Sequence, residues 1–219
     1  MDSNSNIGVS MTLDTLPAEI ILEIATQLPF TAKNLDCFSR TCPRIQAITS
    51  NYKTSITCDI AKAHFPLAAS RFPRICPREL HDYTFPWLSE ISHREECIKF
   101  IAPYIKKIGQ QPHYLDEWKW EAWFTVGHLI LWRLRDCLDH EEKVEYLWSL
   151  PEYSLAILQH TLAAAARIGL EHGAGAIHKS LTEDPLERAD VILCFQELLL
   201  HHGPVFLRDI ICQDEDACE

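Results

Sequence analysis

Glycine is scarce in this chain, with 7 glycines among 219 residues. The apolar residues recur every three to four positions, as on one face of a helix, and not in the short alternating runs typical of strands. Hydrophobic residues make up 47% of the chain and charged residues 23%, which is ordinary for a globular protein. The sequence therefore predicts an all-α fold.

Long hydrophobic runs are also lacking. The most apolar windows, 126–134 and 191–200, are shorter than the roughly 20 residues that a membrane-spanning helix needs. Residues 1–12 show neither the basic stretch nor the apolar stretch of a secretory signal. The nine cysteines are odd in number and scattered, which favours reduced thiols over a disulfide framework. We expect a protein of the cytoplasm or nucleus, or of both, with no membrane contact.

Signatures of catalysis and of metal binding are missing as well. The chain has 11 histidines, but no H-E-x-x-H, C-x-x-C or G-x-S-x-G motif occurs. The pair of glycines at Gly173 and Gly175 follows a helical pattern and no strand, so it is interpreted as a helix stop and not as a phosphate loop. We expect no metal, no cofactor and no enzymatic activity, with a small helical enzyme as the alternative.

Positive charge is scarce in the second half of the chain. The formal net charge is −11, and residues 108–219 contain 20 acidic against 8 basic residues. Such a surface repels nucleic acid, which we therefore exclude as a partner. A basic protein segment is electrostatically suited to it, although solubility alone also explains an acidic surface.

Five segments are predicted along the chain. They are a disordered tail (1–12), a compact helical module (13–50), a proline-rich connector of short helices (51–86), a larger helical domain (87–212) and an acidic tail (213–219). Pro66, Pro73, Pro77 and Pro86 indicate the connector, because proline interrupts long helices.

Several helix borders follow from local chemistry. Asp184 before Pro185 predicts a helix start, and Gly203 predicts the end of the same helix. Pro151 and Gly173 bracket another helix in the same way. A central helix is expected over 116–139. The residues expected to form the core of the larger domain are Trp118, Val126, Leu129, Leu158, Leu162, Leu193 and Leu198.

The segment 13–49, LDTLPAEIILEIATQLPFTAKNLDCFSRTCPRIQAIT, predicts three short helices. The first begins near Pro17, the second covers 33–40 and the third follows Pro43. Three helices in fewer than about 40 residues cannot bury all these aliphatic side chains among themselves. The surplus must be covered by the rest of the chain or by another protein, and spacing alone leaves both possibilities open.

The residues of this segment follow a recognisable order. The first block holds Leu16, Pro17, Glu19, Ile20, Ile21, Leu22, Ile24 and Leu28. The second block holds Leu35, Phe38, Ser39, Arg40 and Thr41. The third block holds Arg44, Ile45 and Ile48. This pattern resembles an F-box, in particular that of short fungal-type F-box proteins with a helical C-terminal region.

The resemblance implies a substrate-receptor subunit of an SCF-type cullin–RING ubiquitin ligase. Its F-box would bind the adaptor subunit of the ligase, and the rest of the chain would bind a protein substrate. The adaptor contacts implied by the resemblance are Leu16, Pro17, Ile20, Leu22, Ile24, Leu28, Leu35 and Ile45. The alternative is a helical protein-interaction domain that is not incorporated into a ligase. In the isolated chain we expect Leu16, Pro17 and Leu22 to be unusually exposed for apolar residues, because the adaptor would be their cover.

An aromatic cluster offers a possible substrate patch. Trp118 and Trp120 lie about 200° apart on a helix, so both cannot face one core. One interpretation is that each packs against a different helix. The other is that Tyr114 and Trp120 line a recognition surface, since aromatic side chains dominate binding hot spots.

Overall fold

The computed structural model describes residues 13–65, 83–109, 117–178 and 184–213. Within these ranges the regular structure is entirely helical, which confirms the predicted all-α fold. The α-helices are α1 (Ala18–Gln27), α2 (Ala32–Ser39), α3 (Pro43–Asn51), α4 (Lys53–His64), α5 (Phe85–Gly109), α6 (Glu117–Asp136), α7 (His140–Ser149), α8 (Glu152–His172), α9 (Pro185–His202) and α10 (Pro204–Cys212). Single 3₁₀ turns lie at Leu13–Thr15 and Gly175–Ile177.

The chain divides into two units. The first comprises Met1–Pro73 with Arg78–Ser92, and the second Arg74–Pro77 with His93–Glu219. The division between the helical parts falls inside α5, after Ser92, and not before residue 87 as the proline pattern suggested. The predicted tails, 1–12 and most of 213–219, lie outside the described residues, as does most of the predicted connector.

The first unit is built from α1 to α4 and the start of α5. Thr31 caps α2 by accepting a hydrogen bond from the backbone N–H of Asn34 at 3.0 Å, and Pro43 stands in the first turn of α3. The core of this unit includes the fully buried Ile21, Ile45 and Ile56. Helices α1, α2 and α3 agree with the three helices predicted within 13–50.

Helix α4 is the element that the sequence interpretation missed. The proline-rich character of 51–86 suggested only short helices there, yet α4 spans 12 residues and buries Ile56 and Ile60. It packs against α1, and His64 donates a hydrogen bond from Nε2 to the carbonyl oxygen of Thr26 at 2.9 Å. The helical module therefore extends beyond residue 50. The spacing of Ile56, Ile60 and Ala61 was the signal for it.

The second unit is centred on the packing of α6 against α8. The helix ends predicted from Pro151, Gly173 and Asp184 are confirmed. Helix α8 begins after Pro151 and ends before Gly173, and Asp184 caps α9 through its carboxylate. Gly203 ends α9 with a φ of +71°, a conformation that glycine adopts without strain. The largest fully buried side chains of this unit are those of Ile101, Leu131, Trp132, Leu134 and Ile168.

The predicted core needs one correction. Leu129 and Leu158 are buried, and Val126 and Leu162 are half-buried, but Leu193 and Leu198 on α9 are 62% and 42% exposed. The side chain of Trp118 lies outside the described residues. Helix α9 is apolar around much of its circumference, so its periodicity does not identify the inward face. Packing selects a different pair for the core, Phe195 and Leu199.

Gly127 is required by the close approach of α6 to α8. A Cβ atom at this position would lie 2.7 Å from Cβ of Thr161 and would also meet the Thr161 hydroxyl. We expect Gly127→Ala to lower the free energy of unfolding by about 1–3 kcal/mol, because overpacking outweighs the helix propensity of roughly 1 kcal/mol that alanine gains. Chemical denaturation followed by circular dichroism measures this change.

Gly169→Ala is the matched control, since it places the same methyl group in the interior of α8. Its nearest neighbour is the Ile177 side chain at 3.0 Å, which can shift. A change within about 1 kcal/mol is expected there. Adding Thr161→Ala to Gly127→Ala should recover part of the loss. If Gly127→Ala is as stable as the wild type, the close helix approach is wrong.

Candidate functional site

Helix α1 has one face in the core and one apolar flank that keeps exposed surface. Ile21 and Ala25 are buried, whereas Ile20 is 47% exposed. Pro17, the residue before the first turn, is exposed and Leu16 is half-buried. Ile20 and Ile24 are four residues apart, so they share one side of α1, and Leu16 and Pro17 lie just before its first turn. We call Leu16, Pro17, Ile20 and Ile24 the α1 apolar face.

Two predicted adaptor contacts are not available for direct binding. Leu35 on α2 and Ile45 on α3 are 6% and 0% exposed, so their side chains belong to the core of the first unit. The packing of the three short helices against one another requires apolar side chains at these two positions, whichever partner the unit binds. Leu35 and Ile45 therefore position the helices and expose almost none of their own surface.

The other six predicted contacts retain exposed surface. Pro17 and Ile20 are exposed, and the half-buried ones are Leu16, Leu22, Ile24 and Leu28. Leu16, Pro17 and Leu22 were all expected to be unusually exposed. Pro17 is exposed, but Leu16 and Leu22 are half-buried, so the expectation is met at Pro17 alone. The covering of α1 by α4 explains why the half-buried residues lose part of their surface.

A shallow apolar groove lies elsewhere on the first unit. It has a volume of about 240 Å³ and is lined by Phe30, Leu35, Asp36, Ser39 and Phe85. Its one acidic side chain, that of Asp36, accepts a hydrogen bond from Arg40 Nε at 2.9 Å. The lining suits an aliphatic or aromatic side chain of a partner better than it suits a polar ligand. Nothing in the sequence indicated this groove, because Phe85 is distant in the chain from the other residues.

The predicted substrate patch cannot be located. Tyr114 lies outside the described residues, and so does the side chain of Trp120, although its backbone belongs to α6. Other aromatic residues of the second unit are exposed: Trp148 at the end of α7 and Tyr153 at the start of α8.

All seven cysteines in the described ranges are free thiols. Burial raises the pKa of Cys97 to about 12 and also raises the pKa of Cys137, so both remain protonated near neutral pH. Within the same ranges no three His, Cys, Asp or Glu side chains are grouped as a metal site would need.

No helix in the described ranges is both long enough and apolar enough to cross a membrane.

Comparison of the chain with protein-family models found no match, and comparisons with curated proteins and with solved structures found none either. The resemblance to an F-box therefore rests on the residues quoted from segment 13–49. The function has to be argued from the uncovered face of α1 and from the surface of the second unit.

Proposed function

We propose that this chain is the substrate-receptor subunit of an SCF-type cullin–RING ubiquitin ligase. In this proposal the first unit binds the adaptor subunit of the ligase and the second unit binds a protein substrate. The observation that supports it is the α1 apolar face, whose four residues all keep solvent-exposed surface beside a well-formed core. Its residues are also those at which the F-box resemblance implies adaptor contacts.

The energetics of this face favour a protein partner. An aliphatic side chain stabilises a complex by about 1.5–3 kcal/mol when it is fully removed from water, and by about half of that when it starts half-buried. Leu16, Ile20 and Ile24 together can therefore supply a few kcal/mol. Part of this offsets the loss of translational and rotational freedom on association. A contact of this size supports specific docking without any catalytic group.

The mechanism in this proposal is proximity. A receptor holds the substrate near a conjugating enzyme that the RING subunit recruits, which raises the effective concentration of the acceptor lysine. The receptor itself needs no nucleophile. The raised pKa values of the Cys97 and Cys137 thiols fit this role, since neither side chain supplies a thiolate.

A second candidate function has one observation in its favour. Leu35, Ile45 and Ile21 are buried by the chain's own helices, as they would be in an ordinary helical domain. The chain would then be a protein-interaction domain that is not part of a ligase. The two functions differ in whether the α1 apolar face binds the adaptor subunit.

Replacing Ile20 tests the proposal. We expect Ile20→Asp to weaken binding of the purified chain to the purified adaptor subunit by roughly 30-fold or more, the effect of losing a hot-spot residue worth about 2 kcal/mol. Isothermal titration calorimetry measures the affinity. Ile20 is half exposed, so the change should leave the circular dichroism spectrum and melting temperature almost unaltered.

Tyr52→Asp is the matched control for Ile20→Asp. Tyr52 is 48% exposed in the same unit and lies between α3 and α4, outside the α1 apolar face. Adaptor binding should survive this change within a factor of about three. If the wild-type chain does not bind the adaptor, the ligase proposal fails. Equal losses from both variants would show that the α1 apolar face is not the docking surface.

A further inference from the structure

The outer side of α9 carries leucine and acid in alternation. Leu186, Asp190, Leu193 and Glu197 are spaced by four, three and four residues, so they lie along one side of the helix over about 17 Å. All four are exposed, the two leucines by 78% and 62%. We call these four residues the α9 outer face.

This face contributes nothing to the core of its own unit. The inward side of α9 is formed by Phe195 and Leu199, which are buried. The carboxylates of Asp190 and Glu197 form no ion pair with any residue in the described ranges. Two exposed leucines and two carboxylates without an ion pair among the described residues are therefore available to a partner along one helix side.

The exposed charges near this face are mostly acidic; among the described side chains of α6 to α10, Arg135 on α6 is the one exposed Lys or Arg. On α7, α8 and α9, every exposed side chain among Asp, Glu, Lys and Arg is acidic. These residues are Glu141, Glu145, Glu152, Glu171, Glu187, Asp190 and Glu197. The bases of the three helices, Lys143, Arg167 and Arg188, are only partly exposed. The potential over these helices is therefore negative and attracts a cationic segment.

We propose that the α9 outer face binds a cationic amphipathic helix. Apolar side chains of the partner cover Leu186 and Leu193, and its lysine or arginine side chains pair with Asp190 and Glu197. This inference deepens the proposed function and rests on it for biological meaning, because it names the surface and the substrate class of the second unit. Alternating leucine and acid on a helix is matched by alternating leucine and base on its partner.

A second copy of this chain is a poorer occupant. If two α9 outer faces packed in parallel, Asp190 would face Asp190 and Glu197 would face Glu197. In the antiparallel arrangement Asp190 would lie against Leu193, and Glu197 against Leu186. Either arrangement removes carboxylates from water without a counter-charge, which is strongly unfavourable. The acids thus select for a basic partner over self-association.

A synthetic peptide of about 20 residues tests the inference, since shorter helices are only marginally stable in water. Its helix should carry leucine and lysine in the same alternation as the α9 outer face, with a fluorescent label. Titrating the full chain into this peptide should give saturable binding by fluorescence anisotropy. The double variant Asp190→Lys/Glu197→Lys should weaken that binding by about 100-fold, about tenfold for each lost charge pair.

A charge exchange makes the test specific. The same peptide with glutamate in place of lysine should bind the Asp190→Lys/Glu197→Lys variant and not the wild-type chain. Leu193→Ser should weaken binding of the lysine peptide by about tenfold. The matched control is Glu141→Lys/Glu145→Lys, which changes the net charge equally on α7. It should weaken binding by no more than about threefold at 0.15 M salt, because these carboxylates do not pair directly with the peptide and their longer-range attraction is screened.

Three results would overturn the inference: no saturable binding of the peptide, equal weakening by the α7 and α9 double variants, or self-association of the chain that Leu193→Ser abolishes. Adaptor binding is measured on the same preparations. Peptide binding without adaptor binding would remove the ligase proposal alone. Adaptor binding without peptide binding would remove the inference about α9 alone.

Discussion

Replacing Arg94 by methionine is expected to lower the free energy of unfolding by about 3–5 kcal/mol. The guanidinium of Arg94 donates two hydrogen bonds to Asp136, from Nη1 to Oδ2 at 2.8 Å and from Nη2 to Oδ1 at 2.7 Å. The two side chains are only 4% and 13% exposed. Removing the arginine leaves the carboxylate largely buried without its counter-charge, and that is the costly state.

Trp132 adds to the expected loss. Its ring lies 4.7 Å from the Arg94 guanidinium carbon, so methionine also removes a cation–π contact. The Arg94 and Asp136 pair joins α5 to α6 inside the second unit. Urea denaturation of the full chain, followed by tryptophan fluorescence, measures the change in stability.

The chain contains its own control for this prediction. Arg40 and Asp36 form an ion pair of similar length, 2.9 Å, but their side chains are 74% and 53% exposed. Arg40→Met should therefore cost less than about 1 kcal/mol. Asp136→Asn in the Arg94→Met background should recover part of the loss, because it neutralises the buried carboxylate. Equal costs for Arg94→Met and Arg40→Met would contradict the burial of the Arg94 pair.

Acid is expected to destabilise the second unit through His128. This side chain on α6 is 1% exposed, and its Nδ1 donates a hydrogen bond to the Phe124 carbonyl oxygen at 2.8 Å. Its Nε2 has no hydrogen-bond partner among the described residues. Burial lowers the pKa of His128 from 6.5 to about 4, because a proton on Nε2 would place an unsolvated charge in the core.

The direction of the effect follows from the two pKa values. As the pH falls below about 6.5, the unfolded chain takes up a proton on this histidine and the folded chain does not. The free energy of unfolding therefore decreases between about pH 6.5 and 4, by about 3 kcal/mol at most, and this contribution levels off below pH 4. Denaturation curves at a series of pH values measure this.

His128→Phe isolates the contribution of one residue. Phenylalanine keeps a ring in the core and cannot be protonated. The difference in free energy of unfolding between the wild-type chain and this variant should be constant above about pH 7 and shrink or reverse towards pH 4. Parallel stability curves for the two proteins across this range would show that His128 is not buried as a neutral ring.

Much of the helical framework could be predicted from local sequence. Pro151, Gly173, Asp184 and Gly203 marked helix ends correctly because capping depends on a few adjacent residues. The three helices of 13–50 followed from the same kind of signal. Fold class and helix borders are properties that neighbouring residues determine.

The inward faces of the helices could not be predicted in the same way. On α9, leucines occur on several sides, and the contacts of Phe195 and Leu199 decide which side is buried. On α1, the pattern could not distinguish Ile20, which is half exposed, from Ile21, which is buried. Both outcomes depend on elements distant in the chain, and α4 is the one that covers α1.

The candidate sites show the same limit. Six of the eight implied adaptor contacts keep exposed surface, while Leu35 and Ile45 are in the core, and spacing along the chain does not separate these groups. The pairing of Arg94 with Asp136, 42 residues apart, and the groove beside Phe85 have no local signature. Such features arise from tertiary packing.

Hydrogen–deuterium exchange with and without the purified adaptor subunit tests the central claim most directly, because it reports both whether the adaptor binds and where. We expect slower exchange on adaptor addition in peptides covering residues 13–28, which contain the α1 apolar face, and unchanged exchange in peptides covering α9. No change anywhere in the chain, or protection confined to 185–202, would contradict the proposal that this face docks the chain onto the ligase.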